Sequence, residues 1–432
     1  MMGLLKIHFL LLITLGNKMN LNESNTNDSK GIKQIVRALR YRNYRLFFSG
    51  QFITLIGMWI QQIALSWLVF RLTDSAFLLG LVGFAAQLPS VFLSPFAGVL
   101  ADRWNRRNIL VVTQFCSMVQ AIVLAILVLT GTIKIWHIMC LGTLIGFVGA
   151  FDGPARQSFV VEMVEDKADL GNAIALNSFM FNGSRLIGPS IGGILIAAIG
   201  EGYCFLINGI SYLGVISALL AMKFTPKETR TSTPNIFREL KEGFVYTFSI
   251  PPIKSILLLL GLVSLMAMPY MLLMPVVAKD VLHGGPHTMG FLMAGVGVGA
   301  LIGAIYLASR KSILGLEKVI PIATSIFGIG LIAFSLSRVF WLSLVLISVT
   351  GFGMMVQMAS CNTYIQTIVD DDKRGRVMSF YTMSFMGTAP FGSLLAGGLA
   401  SKIGAPSTLL ISGISCIAGM LIFVSRLSSF KP

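Results

Sequence analysis

Residues 98 to 107 read Gly98-Val99-Leu100-Ala101-Asp102-Arg103-Trp104-Asn105-Arg106-Arg107. This stretch joins two apolar runs, 76–100 and 108–130. Each is long enough for the about 20 residues a helix needs to cross a bilayer. A short polar turn between two such runs is a membrane hairpin, and its three arginines mark the face on which it lies.

Ten further apolar runs flank this hairpin: 46–70, 135–152, 172–199, 203–222, 253–278, 287–308, 317–336, 340–363, 377–400 and 406–425. The bulk composition agrees. Of 432 residues, 55% are hydrophobic and only 12% charged, with a mean hydropathy of +0.81. A soluble chain carries about 25% charged residues, so a soluble enzyme, a disordered chain and a nucleic-acid-binding domain are excluded. The expected fold is an all-α membrane protein of twelve transmembrane helices in two six-helix bundles. Its divisions are a tail at 1–45, a bundle at 46–222, a linker at 223–252, a second bundle at 253–425 and a tail at 426–432. The first 18 residues carry an apolar run too short to span; Met19 is the expected true start, with a small interfacial anchor as the alternative. Within the linker, Ile236, Leu240, Phe244 and Phe248 recur at helical spacing, which predicts a surface-lying amphipathic helix over 235–248.

The net charge is +15. If the N-terminus is cytoplasmic, 27 of the 33 basic residues fall on the cytoplasmic side, and five (Arg71, Lys134, Lys279, Arg338, Lys402) fall outside. That asymmetry predicts a cell-membrane protein with both termini inside. The surplus charge is then topological and needs no nucleic acid. The halves also echo each other. Gly98 corresponds to Gly303, and Val164-Glu165-Asp166 to Val369-Asp370-Asp371, both at an offset of 205. A parallel duplication of this kind places a pathway between the halves.

Gly98, Leu100, Asp102, Arg103, Arg106 and Arg107 match the Gly-x-Leu-x-Asp-Arg-x-Gly-Arg-Arg/Lys signature between spans 2 and 3 of the major facilitator superfamily, which this chain resembles. Asn105 stands at the second glycine, and asparagine tolerates a left-handed turn. The resemblance implies a gate on the cytoplasmic side: Gly98 allows close helix approach, Asp102 caps a facing helix in span 11 or pairs with Arg106, and Asp152 is an acidic partner for the arginines. Plain topological charge is the alternative for Arg103, Arg106 and Arg107. In span 5, Gly188-Pro189-x-x-Gly192-Gly193 resembles the signature of proton-coupled exporters, although Ala175 and Ser184 stand where that signature has glycine. A generic small-residue packing face is the alternative there.

The openings Leu39-Arg40-Tyr41-Arg42-Asn43-Tyr44-Arg45-Leu46-Phe47 and Ala155-Arg156-Gln157-Ser158-Phe159-Val160 resemble the branch of siderophore exporters and macrolide-efflux proteins. The function this implies is outward movement of a small, partly apolar molecule of drug or siderophore type by alternating access; the alternatives are an importer or facilitator of the same fold and a transport-inactive membrane receptor. The coupling ion implied is the proton, and a monomer is expected.

Arg185 is the one basic residue that topology does not explain. It falls near mid-membrane in span 5, where an ionised side chain needs water or a partner. Asn182 and Asn177 share roughly its face. With Gln62 in span 1 and Gln357 in span 10, they form the candidate substrate pathway; a structurally paired or snorkelling arginine is the alternative. No acidic residue lies comparably deep, and Asp152 is the nearest carboxylate. Pro269 and Pro275 are expected to break or bend span 7. No metal or other cofactor is implied. The five cysteines are scattered, His283 and His287 flank Gly284-Gly285-Pro286, and no P-loop, HExxH or GxSxG motif occurs.

Overall fold

A computed structural model describes residues 37–222, 244–310, 315–370 and 373–426, with the side chains of 94–96, 98–103 and 167 not described. The first half comprises α1 (Arg42–Thr73), α2 (Ala76–Arg103), α3 (Arg106–Leu129), α4 (Ile135–Glu162), α5 (Leu170–Ile199) and α6 (Glu201–Ala221). The second half comprises α7 (Pro251–Met266), α8 (Pro286–Ala308), α9 (Leu316–Leu336), α10 (Phe340–Ile368), α11a (Arg374–Met386), α11b (Ala389–Ile403) and α12 (Ala405–Ser425). Among the described residues, ten spans are individually long and apolar enough to cross a membrane. The other two are α5, diluted by its polar residues, and the interrupted eleventh. The chain is a multi-pass membrane protein of the twelve-helix type.

Several helices run past their apolar runs. α4 continues to Glu162 through Pro154, so Asp152 lies within a helix and not at its end. The seventh span breaks as its prolines predict. α7 stops at Met266, a 3₁₀ turn covers Met268–Met271, and a short helix at Met274–Val276 passes into a π-helical turn at Val277–Val281. The eleventh span also breaks, at Gly387-Thr388, which the apolar run did not reveal. Pro390 lies in the first turn of α11b, where its missing N–H is harmless. The predicted linker helix is described only over 244–249; its earlier part lies outside the described residues, as does the segment 1–36.

The two halves pack by the same plan. In the first, α2 lies on α4, and α6 lies on α1 and α3; in the second, α8 lies on α10, and α12 lies on α7 and α9. Across the halves, α5 meets α8 and α2 meets α11b. These crossings are close because they are made of glycine. A Cβ on Gly193 would stand 2.7 Å from the Cα of Gly290, and one on Gly397 would stand 2.8 Å from the Cα of Gly80. With no hydrophobic force between helices in lipid, backbone proximity of this kind supplies the dispersion contact. Both crossings lie toward the end of the bundle opposite Arg37 and Arg426, the first and last described residues. At that same end Lys279 Nζ is 2.7 Å from Asp74 Oδ1, linking the halves again.

Candidate functional site: the mid-membrane arginine between the halves

α5 runs thirty residues, and Arg185 stands halfway along it. Its guanidinium reaches across to the second half. Nη2 lies 3.9 Å from the sulfur of Met271 and 3.9 Å from that of Met354. The charge also sits over the ring of Trp59 on α1, 5.9 Å from the centroid. Tyr270, in the broken part of the seventh span, donates its hydroxyl to the Met354 sulfur at 3.7 Å and sets its ring edge-on to Phe327. The lining is therefore aromatic and thioether, soft and polarisable, with one fixed positive charge.

Thioether sulfur is a weak acceptor. Arg185 Nε, Trp59 Nε1 and both amide atoms of Gln357 are buried without a protein partner. Gln357 is 0% exposed and follows Met354 by three residues on α10, close to one helical turn. Unpartnered buried polar atoms are uncommon in folded proteins; here two of them, Arg185 Nε and Trp59 Nε1, belong to side chains that face each other.

The other candidate pathway residues lie differently. Asn182 turns back along its own helix, its Nδ2 donating to the carbonyl of Ser178 at 2.9 Å. Asn177 is half-buried and Gln62 exposed. No described contact ties any of the three to Arg185. Sequence reasoning found Arg185 and Gln357 as polar residues out of place in apolar runs. It missed Trp59, Met271 and Met354 as neighbours, because tryptophan and methionine in a span read as bulk.

The small-residue motif of α5 divides by face. Gly188 lies against Trp59, where a Cβ would come within 2.5 Å of the Trp59 Cβ. Gly192 lies against Ile60, and Gly193 against Gly290 of the other half. Ser184 and Pro189 are buried. The motif thus seats α5 between α1 and α8, the two helices that set the position of Arg185.

Of the hairpin motif, the surroundings of Gly98 and the side chains of Asp102 and Arg103 lie outside the described residues. Arg106 Nη1 meets Glu162 Oε1 at 2.5 Å. Arg107 donates to the carbonyls of Leu219 and Leu220 at 2.6 and 2.7 Å, tying α3 to the last turn of α6. A cation at a helix C-terminus also meets the negative end of its dipole. Asn105 is not in a left-handed turn: with φ −65° it caps α3, its side chain accepting from the backbone N–H of Arg107 and Asn108. Asparagine is among the best residues at that position. Asp152 bonds to Thr113 at 3.0 Å and Gln114 at 2.7 Å, and pairs with Arg156 at 3.4 Å. Next to it a second polar chain runs from Asn208 to Gln61 at 2.8 Å and from Gln61 to Gln120 at 3.0 Å.

Residues 36–431 match the model of the transmembrane secretion effector family. The staphyloferrin A transporter of Staphylococcus aureus is 29% identical over 393 residues, covering 90% of this chain and 97% of the relative. Macrolide efflux protein A of Streptococcus pyogenes is 25% identical over 399 residues, covering 88% and 96%. The enterobactin exporter EntS of Shigella boydii is 26% identical over 387 residues, covering 88% and 91%. Among solved structures, a POT family transporter in complex with 5-aminolevulinic acid superposes with a TM-score of 0.73 at 12% identity, covering 90% and 97%. A bacterial homologue of the iron transporter ferroportin in its inward-facing state gives 0.68 at 15%, covering 89% and 98%. The chain is a transporter and not an enzyme, and it belongs to the transmembrane secretion effector family, in the efflux branch of the major facilitator superfamily.

Proposed function

We propose that this chain exports a small, partly apolar compound across the cytoplasmic membrane by alternating access, in exchange for protons. The observation that carries the reading is the mid-membrane contact of Arg185 with Met271 and Met354, a charge of one half held by side chains of the other. A site divided between two bundles changes shape when they rock. Beyond it the halves meet through Gly193 and Gly290, through Gly80 and Gly397, and through Asp74 and Lys279. Arg37 and Arg426, the first and last described residues, lie at the other end, which the basic loops assign to the cytoplasm. In this reading the structure is the state closed toward the outside. Export, and not uptake, is supported by the efflux and export named for two of the relatives and by the Gly-Pro-x-x-Gly-Gly core of α5.

For coupling, Asp152 is the carboxylate we assign. It is mostly buried on α4, held by the side chains of Thr113, Gln114 and Arg156. The hairpin arginines, with Asp102, form the gate at the cytoplasmic end. The protein works as a monomer, since both halves of the site come from one chain.

Cells lacking and cells expressing the chain are loaded with a panel of macrolides, siderophores and apolar dyes, with and without a proton uncoupler. Expression lowers retention of at least one compound, and the uncoupler restores it. Equal retention in both strains rejects export; export indifferent to the uncoupler rejects proton coupling. Arg185→Ala abolishes this transport while the amount of chain in the membrane fraction is unchanged; normal transport in that variant removes Arg185 from the pathway.

A further inference from the structure

The unpartnered atoms around Arg185 have a chemical bias. Arg185 Nε and Trp59 Nε1 are both N–H donors, and Gln357 adds an amide nitrogen and one acceptor oxygen. Donors outnumber acceptors, and the one formal charge is positive. The guanidinium edge bearing Nε and Nη2 is the planar fork that meets both oxygens of a carboxylate. Here Nε has no protein partner, and Nη2 has only two sulfurs at 3.9 Å. The carboxylates described on α4 and α6 are engaged elsewhere, Asp152 with Arg156, Glu162 with Arg106 and Glu201 with Arg71.

We propose that the transported molecule carries a carboxylate, bound side-on by the Nε–Nη2 edge of Arg185, with Gln357 reading an adjoining polar group. Met271, Met354, Tyr270 and Trp59 surround its apolar part. This rests on the export reading of the same site and narrows it to one substrate class: apolar organic acids. The ligand replaces weak sulfur contacts with charge-assisted hydrogen bonds in a low-dielectric site, where such bonds are strongest. A neutral molecule of the same shape would leave the arginine uncompensated.

The test needs no knowledge of the natural substrate. Purified full-length chain in lipid nanodiscs is titrated with three acids of graded size and their neutral partners: benzoate and benzamide, 1-naphthylacetate and 1-naphthylacetamide, fusidate and its methyl ester. Binding is followed by tryptophan fluorescence. At least one acid binds tenfold or more tightly than its neutral partner. Arg185→Gln removes the preference, and Arg185→Lys, which keeps the charge but lacks the fork, retains part of it. An acid and its neutral partner binding alike across all three pairs overturns the proposal, as does a preference that survives Arg185→Gln. The wild-type arm stands even if a variant fails to fold. The same six compounds are then followed in loaded cells. Acid preference in binding without outward movement sinks export and leaves the carboxylate site standing; outward movement of acid and neutral partner alike does the reverse.

Discussion

Asp152 on α4 and Gln357 on α10 stand at equivalent positions in the two halves, related by the same offset of 205 residues that relates Val164 to Val369. Their surroundings differ. Asp152 has Thr113, Gln114 and Arg156 about it. Gln357 is more deeply buried, and neither of its amide atoms has a protein partner. One duplicated position has become a knot in a polar network, and the other a polar group held in an apolar wall. A satisfied buried network rigidifies its surroundings, whereas an unsatisfied one is a local destabilisation that evolution retains for a purpose. Asp152 is thus the better braced of the two positions, and the first half holds a further polar chain from Asn208 by Gln61 to Gln120. Groups without a protein partner come from both halves, Arg185 Nε and Trp59 Nε1 from the first and the Gln357 amide from the second.

Asp152→Leu and Gln357→Leu test this contrast directly. The first strands Arg156, Thr113 and Gln114, and lowers stability by about 2–4 kcal/mol. The second removes a polar group that bonds to nothing, and leaves stability unchanged or raises it by up to about 1 kcal/mol. Thermal unfolding of the purified variants in detergent reads both; equal losses would erase the distinction between the two positions.

The crossings between halves are alike where the cores are not. Gly193→Val and Gly397→Val each push a side chain into facing backbone. Each should disfavour the present state by about 1–3 kcal/mol. In a background without native cysteines, Ser75→Cys reports the change as several-fold faster labelling from outside. If only one of the two valines accelerates it, the crossings are not equivalent. The smallest effect belongs to Asp74 and Lys279, which are themselves related by the offset of 205 and bear opposite charges. The pair is largely exposed, so Asp74→Asn shifts the same labelling by no more than about 1 kcal/mol, and added salt masks it. A larger shift would make this pair the principal lock.

Much of the architecture was legible because lipid is a simple solvent. Apolar runs of membrane length have to become helices, and the basic loops number them. The offset of 205 exposed the duplication, and the prolines exposed the break in the seventh span. The gap in the eleventh was hidden, since Gly387 and Pro390 also occur within intact spans. The apolar run 135–152 stops at Asp152, yet Pro154 is accommodated and α4 continues to Glu162.

For the site, the sequence by itself determined the charge and its depth: Arg185 in the middle of a span, with no carboxylate at its level. That follows from composition along one dimension, where an arginine among leucines is conspicuous. Only the tertiary structure decided what surrounds it. Two methionine sulfurs and a tryptophan face come from the broken seventh span, α10 and α1, at sequence separations of 86 and 169 for the two methionines. These residue types in apolar helices carry no local signal of their partner. Which of them faces lipid and which faces the arginine is settled by helix rotation and by the glycine crossings that bring the halves together.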